Sequence, residues 1–462
     1  MEYWLFVFKS ESDAVRPALT KTTGFVCLFA LVLLSRLPFL DAGYGVSPDA
    51  WRVARVAREI SASGEYAVSR FPGYPLQEII CSVFWRGGPS ALNGLSAFFS
   101  AIAATVFAAI IRKLGCPDWF LAGLAVAMTP IFFVSSVSSK DYIWALAFVL
   151  LSVLCALNGR AFSAGVFLGV ATGCRLTSLA MTLPIALILS GATPYPWRTI
   201  IKFATAAGVV ALLAFIPVWQ RYGVSFLTFY GNHVRPSWPM ILTRSTVELW
   251  GALGLLALGI AAAGAWLTRK QPHLTNWRVV ASLLLMVAIY IAAYLRLPDQ
   301  AGYLLPIVPA ILLLVYLFTP RRFLQTALCC LLITPFIELT AVGLRPGAIL
   351  ADHQQRLQNL ANIRAILNIA ESAPGSNVFV VGASEPQIAV LAPHLQRGRN
   401  HYVDIMTASE AKAAVENGQS LYYLPTMRRF NYSVNGVDLA QYGARDMRSL
   451  LNPFKIAPQI EP

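Results

Sequence analysis

Residues 46–85 read VSPDAWRVARVAREISASGEYAVSRFPGYPLQEIICSVFW, and the rest of the chain is best read outward from them. The first half patterns as an amphipathic helix. Ser47 is suited to cap it, Pro48 fits its first turn and Gly64 stops it. Trp51, Ala54, Val56, Ala57 and Ile60 form an apolar stripe, while Arg52, Arg55 and Glu59 take the other face. Such a helix lies along a membrane surface rather than through it. Asp49 sits in its first turn. A carboxylate there can accept a proton from a hydroxyl nucleophile, and it is equally a residue that the helix dipole favours.

The flanking composition sets this helix at a membrane. Of 462 residues, 57% are hydrophobic and 13% charged, where a soluble domain carries roughly 25% charged residues. With a mean hydropathy of +0.60, a soluble globular enzyme is excluded. Apolar stretches run at about 22–40, 90–111, 118–138, 141–157, 162–190, 200–218, 246–267, 277–294, 302–318 and 323–342. The fifth is too long for one crossing and carries Arg175 at its middle, in GCRLTS. A charge at mid-bilayer costs about 3 kcal/mol or more, so this stretch is read as two short helices meeting at Arg175. The expectation is an all-α polytopic membrane protein with about eleven transmembrane helices. No cleavage site follows the first stretch, which is expected to remain as an anchor.

A cytosolic start puts Arg112/Lys113, Arg160, Arg198/Lys202, Arg269/Lys270 and Arg321/Arg322 inside, as the positive-inside rule requires. The outer face then receives the loop 41–89, the Ser138 to Asp141 turn, the Arg175 tip, the segment from Trp219 to Thr246 and the Arg296 to Ala301 turn. Up to Leu344 there are 25 basic and 13 acidic residues, and beyond it 11 and 9. The net charge of +14 therefore belongs mostly to membrane topology, and nucleic acid is not an expected partner. The seven cysteines form no CxxC pair and none follows Leu344, so neither a disulfide framework nor a structural zinc site is expected.

After Leu344 the pattern changes to a helix from Ala351 to Glu371, a strand NVFVVGA, a helix near Pro386 to Leu391, then YVDIM, SEAKAAVENG and SLYYLP. Alternating strands and helices predict a small α/β domain. The expected division is 1–344 for the membrane part and 345–462 for an extracytoplasmic α/β domain. Gly382 alone is not a dinucleotide fingerprint.

The first loop resembles that of the GT-C superfamily of integral-membrane glycosyltransferases. That superfamily includes protein O-mannosyltransferases, the aminoarabinose transferase that modifies lipid A, and related lipopolysaccharide glycosyltransferases. Its motif D-E-A-x-Y-A-x-x-A-R-E is similar to the run from Asp49 to Glu59, with Ser63-Gly64-Glu65-Tyr66 and Phe71-Pro72-Gly73-Tyr74-Pro75 following as in the family. The acidic pair is reduced to Asp49-Ala50, and Trp51-Arg52 stands near the usual tyrosine.

The resemblance implies further site residues. Asp141, in Ser138-Ser139-Lys140-Asp141, matches an acidic position of the family; its plainer reading is a helix-start residue paired with Lys140. Arg175 matches a basic residue between two short helices, where its anion is either a lipid-linked phosphate or an intramembrane acid such as Glu338. The stretch from Arg296 through Asp299 and Tyr303 to Pro309 resembles R-Y-x-x-P-x-x-P, with Gly302 where the arginine usually stands. Arg296 either substitutes for it or marks the membrane boundary. Arg70 and Tyr74, in the proline-rich stretch, join Lys140, Asp141, Arg175, Arg296 and Tyr303 as expected donor contacts. Arg52, Asp299 and His233, the last in FYGNHVRPSW, are secondary candidates.

The implied function is transfer of a sugar from a polyprenyl-phosphate donor to a hydroxyl of a glycolipid, glycan or protein, at the outer face of a cell (inner) membrane. Asp49 acts as general base in a single inverting displacement. Asp49 and Asp141 are the expected ligands if a divalent ion, Mg or Mn, takes part. Two rivals are a lipid-linked sugar flippase without chemistry, which needs charges along a path across the membrane, and a polysaccharide ligase or polymerase, which relies on arginine and histidine in a large late loop. The absence of GxSxG, Walker and HExxH motifs leaves hydrolase, ATPase and metalloprotease readings without support.

Overall fold

The first-loop helix forms where its caps predict. In the computed structural model α1 (Lys21–Leu34) leads to α2 (Pro48–Ser63), whose N-cap Ser47 side chain accepts from the Asp49 N–H. Gly64 ends it in the left-handed conformation, at φ 72°. The structure describes residues 21–191, 195–227, 236–268, 277–340, 342–393, 400–403, 406–423 and 438–447. His233 and the Arg269/Lys270 pair fall outside these.

The chain continues through α3 (Pro75–Phe84) and α4 (Gly88–Lys113). The third apolar stretch is broken: α5 (Trp119–Ala127) and α6 (Pro130–Ser136) meet at 68°, because Pro130 cannot continue the hydrogen-bond ladder of α5. After α7 (Tyr142–Leu157), the long fifth stretch is divided as its arginine requires. Here α8 (Ala161–Cys174) stops at Arg175, which is extended, and a 3-10 turn leads into α9 (Thr182–Leu189). Then come α10 (Pro196–Tyr222), α11 (Trp238–Ser245), α12 (Val247–Thr268), α13 (Trp277–Arg296), α14 (Ile307–Phe318) and α15 (Arg321–Ile333).

Among the described residues, five helical stretches are long and apolar enough to cross a membrane, and α5 with α6 makes a sixth. Four shorter apolar helices accompany them, at 142–157, 161–174, 176–189 and 307–318. The close packing of α8 on α10 depends on glycine. A Cβ at Gly165 would lie 2.3 Å from the Phe203 carbonyl oxygen, and one at Gly169 would lie 2.8 Å from that of Ala207.

One expected span is shorter than its composition suggests. The stretch 323–342 is helical only to Ile333; Pro335 follows, and β1 (Ile337–Thr340) pairs antiparallel with β2 (Gly343–Pro346). A strand with Ile and Thr at its ends has the same apolar average as a helix end, so average hydropathy did not separate them.

Beyond the hairpin lie α16 (Ala348–Ser372), β3 (Asn377–Val380), α17 (Glu385–Leu391), β4 (Asn400–Val403), α18 (Ala408–Glu416), β5 (Ser420–Tyr423) and β6 (Arg445–Asp446). The four strands form a parallel sheet in the order β4-β3-β5-β6. This part rests on the membrane part at two points. At α16, Arg356 donates to the Val137 carbonyl at 2.7 Å and pairs with Asp352 at 2.6 Å. At α17, Glu385 meets Arg55 at 3.2 Å and the Ala389 carbonyl accepts from Arg58 at 3.1 Å, so α2 is held from above.

Candidate active site

The site is built on two pinned loops. Four hydrogen bonds converge on the buried carboxylate of Glu78 in α3: from the Tyr66 hydroxyl (2.5 Å), the Ser69 N–H (2.7 Å) and hydroxyl (2.6 Å), and the Tyr74 N–H (3.0 Å). They fold the segment 66–74 back over α3 and present Arg70. In the second loop, the Ser139 N–H donates to the Tyr44 carbonyl (3.0 Å), the Ser139 hydroxyl to Asn93 Oδ1 (2.7 Å), and Gln77 Nε2 to the Ser139 carbonyl (3.2 Å). That turn sets Lys140 and Asp141 beside the first loop.

Acids and bases then alternate. Arg70 Nη1 lies 2.8 Å from Asp49 Oδ2 and its Nη2 lies 2.6 Å from Asp141 Oδ1. Asp141, with a fully buried side chain, takes Arg175 Nη1 on its other oxygen at 2.5 Å. Arg52 approaches Asp49 at 3.2 Å. Gln300, in the turn after α13, donates through Nε2 to Asp49 Oδ2 (2.9 Å) and accepts through Oε1 from Lys140 Nζ (3.1 Å) and the Tyr142 hydroxyl (2.9 Å). Aromatic faces complete the wall: the Arg175 guanidinium lies 4.5 Å from the Tyr142 ring centre and 5.0 Å from that of Tyr303, and Arg70 lies 4.5 Å from Tyr74, whose hydroxyl accepts from Arg70 Nε at 2.8 Å.

Four cations thus surround two carboxylates. Burial pushes the Asp49 carboxyl upward, but Arg70, Lys140, Gln300 and Arg52 outweigh it and hold its pKa down to about 2. Burial lowers the Lys140 ammonium to about 8 against the opposing pull of Asp49 and Asp141. The excess of positive charge in a water-poor corner is suited to an anion.

Of the residues expected from sequence, Asp49, Arg52, Arg70, Tyr74, Lys140, Asp141, Arg175 and Tyr303 come together here. Arg296 does not: it is exposed at the end of α13, and none of the contacts above involves it. Asp299 is partly buried immediately before Gln300. The intramembrane-acid alternative for Arg175 is corrected in its partner, because the acid is Asp141, while Glu338 lies in the β1 strand. Gln300, Tyr142 and Glu78 were not anticipated, although each lies within a few residues of a motif position. Gly302 now has a reason: a Cβ there would lie 2.6 Å from the Tyr142 ring, so a larger residue would displace the ring that flanks Arg175.

A divalent ion between Asp49 and Asp141 does not fit this arrangement. Arg70 bridges the two carboxylates in the position a shared cation would occupy, and among the described residues no group of three or more histidine, cysteine or acidic side chains could hold a metal.

Comparison with known proteins bears on the fold that carries this site. The model of glycosyltransferase family 87 matches residues 88–290, a region that includes Lys140, Asp141 and Arg175 but not Asp49, Arg70 or Gln300. Two crystal structures of ArnT from Cupriavidus metallidurans superpose on the chain. The one bound to undecaprenyl phosphate has a TM-score of 0.57 at 14% identity, covering 94% of this chain and 91% of that one. The apo state has a TM-score of 0.54 at 14% identity, covering 86% and 89%. No curated protein matches in sequence. The chain thus has the fold of the ArnT structures, as the first-loop resemblance implies, and its residues 88–290 match the model of glycosyltransferase family 87.

Proposed function

We propose that the protein transfers a sugar from a polyprenyl-phosphate donor to an acceptor hydroxyl on a glycolipid, glycan or protein, at the outer face of the inner membrane. The observation that carries this is the arrangement of four cations around Asp49 and Asp141 at the end of α8 where the chain breaks. A phosphodiester donor brings one negative charge and its departing lipid phosphate gains more. Arg70, Arg175 and Lys140 therefore bind the donor and stabilise the leaving group more strongly than the ground state. The ArnT structure that holds undecaprenyl phosphate supports a lipid of this class.

In this reading phosphate oxygens compete with the carboxylates for Arg70 and Arg175. Asp49, relieved of part of its positive surroundings, becomes more basic as the donor docks. It accepts the proton of the acceptor hydroxyl as that oxygen attacks the anomeric carbon and the phosphate leaves from the opposite side, inverting the centre. Gln300 keeps Asp49 oriented, and Tyr142 and Tyr303 shield Arg175. The site groups form a closed network at one end of α8 and α10, which favours chemistry at an interface over a transport path. Counting the short helices and α15 gives eleven crossings, with residues 1–344 as the membrane transferase and 345–462 as an extracytoplasmic α/β part resting on α2.

Mass spectrometry of envelope glycolipids and glycans, with and without the gene, tests the reading. Loss of one sugar residue from a defined species, with accumulation of a polyprenyl-phosphate sugar, is expected. Identical profiles would contradict it.

A further inference from the structure

At the end of the bundle remote from Asp49, a second cluster of cations surrounds a cavity. Its volume is about 350 Å³, and it is lined by Gly159, Arg160, Phe162, Ser163, Arg198 and Lys202, together with Ala161 and Thr199. The distance from the site follows from the helices. At 1.5 Å per residue, the 14 residues of α8 separate Arg160 from Arg175 by about 20 Å. With the topology proposed above, the two clusters stand at opposite faces of the membrane.

Three features of this cavity fit one ligand. Arg160, Arg198 and Lys202 contribute three positive charges, and no acidic residue lines it. It sits where α8 and α10 both begin, with the unsatisfied N–H groups and positive dipole end of each. The α8–α10 contact through Gly165 and Gly169 brings backbone against backbone, so the two sides of the cavity are held at a set spacing. At the same level Tyr195 and Trp197 are exposed, and Arg198 lies 5.6 Å and 5.0 Å from their ring centres. Exposed Trp and Tyr mark the headgroup depth of a bilayer.

We propose that this cavity binds the phosphate headgroup of an anionic phospholipid in the leaflet opposite the Asp49 site. The phosphate lies among Arg160, Arg198 and Lys202, and Phe162 with Trp197 borders the acyl chains. Cations that serve topology alone require only charge at this face; Arg112 and Lys113, at the end of α4, meet that requirement, with Arg112 lying over the Phe25 ring at 5.6 Å.

Native mass spectrometry of the detergent-solubilised protein, titrated with phosphatidylglycerol or phosphatidylcholine, tests this. Phosphatidylglycerol is expected to bind at least tenfold more tightly than phosphatidylcholine. The triple change Arg160→Gln, Arg198→Gln, Lys202→Gln is expected to remove that preference, and Arg112→Gln with Lys113→Gln to keep it. Ser163→Phe, which fills the cavity and leaves every charge, is expected to lose the lipid as well and serves if the triple variant does not fold. Equal loss in the Arg112/Lys113 variant, or unchanged binding in Ser163→Phe, would overturn the pocket. Inorganic phosphate that binds at the three cations while phosphatidylglycerol does not would overturn the lipid as its source.

Discussion

Gln300 Nε2 donates to Asp49 Oδ2 at 2.9 Å although 251 residues separate the two in the chain. The same amide accepts from Lys140 and Tyr142 through its oxygen, so both of its ends are used and its orientation is determined by its neighbours. A neutral bridge thereby joins the carboxylate assigned as base to a cation assigned to the phosphate. Removing it with Gln300→Leu takes one hydrogen bond from Asp49, which keeps Arg70 and Arg52, and one from Lys140. A hydrogen bond to a charged group is worth about 1.5–3 kcal/mol, so turnover should fall roughly 10- to 100-fold. Steady-state kinetics should show this in kcat, with the donor KM little changed.

Arg70 holds Asp49 and Asp141 apart. Replacing it with Met leaves two buried carboxylates facing each other, a change that typically costs about 3–5 kcal/mol. Thermal unfolding of purified Arg70→Met should show a lowered Tm together with loss of transfer. Adding Asp49→Asn to that variant, which removes one of the facing charges and leaves Asp141 paired with Arg175, should recover part of the Tm without restoring activity.

Lys140 supplies a pH dependence. Its pKa is lowered to about 8, so it is a cation below that pH and neutral above it. Transfer should therefore be present at pH 7 and fall about tenfold per unit as pH rises past 8. Lys140→Arg, charged throughout, should move that limb to higher pH even if its peak rate is lower. Asp49, held to about 2 without the donor, should produce no acid limb in kcat/KM above about pH 3, and the limb in kcat should lie at higher pH because the docked donor makes Asp49 more basic.

Gly302 packs against the Tyr142 ring without room for a methyl group. Gly302→Ala should cost about 1–3 kcal/mol through overpacking, measured as a drop in Tm. Because Tyr142 flanks Arg175, the donor KM should rise more than kcat falls.

How much of this was legible in the sequence depends on the distance over which each signal acts. Ser47, Pro48 and Gly64 are local signals, and the helix they delimit is where they placed it. Arg175 was legible because a charge in an apolar run demands a break, and the chain breaks there. Gln300 was not, since its significance lies in Asp49 and Lys140, far away in the chain, and a glutamine in a turn carries no period or charge. The acid beside Arg175 was not legible for the same reason: the sequence suggested Glu338, nothing in it pointed to Asp141, and only packing brings Asp141 there. The hairpin at 337–346 was missed because apolar content alone does not distinguish strand from helix in so short a run.

The proposed transfer turns on Asp49 taking the acceptor proton. The most direct test is sugar transfer by cells or purified protein carrying Asp49→Asn, which keeps the shape and the bond from Gln300 but removes the charge. Normal expression and Tm are expected, with transfer reduced by about 10²- to 10⁴-fold. Transfer at the parent rate by a folded Asn variant would contradict it and leave Asp49 as a helix-start residue only.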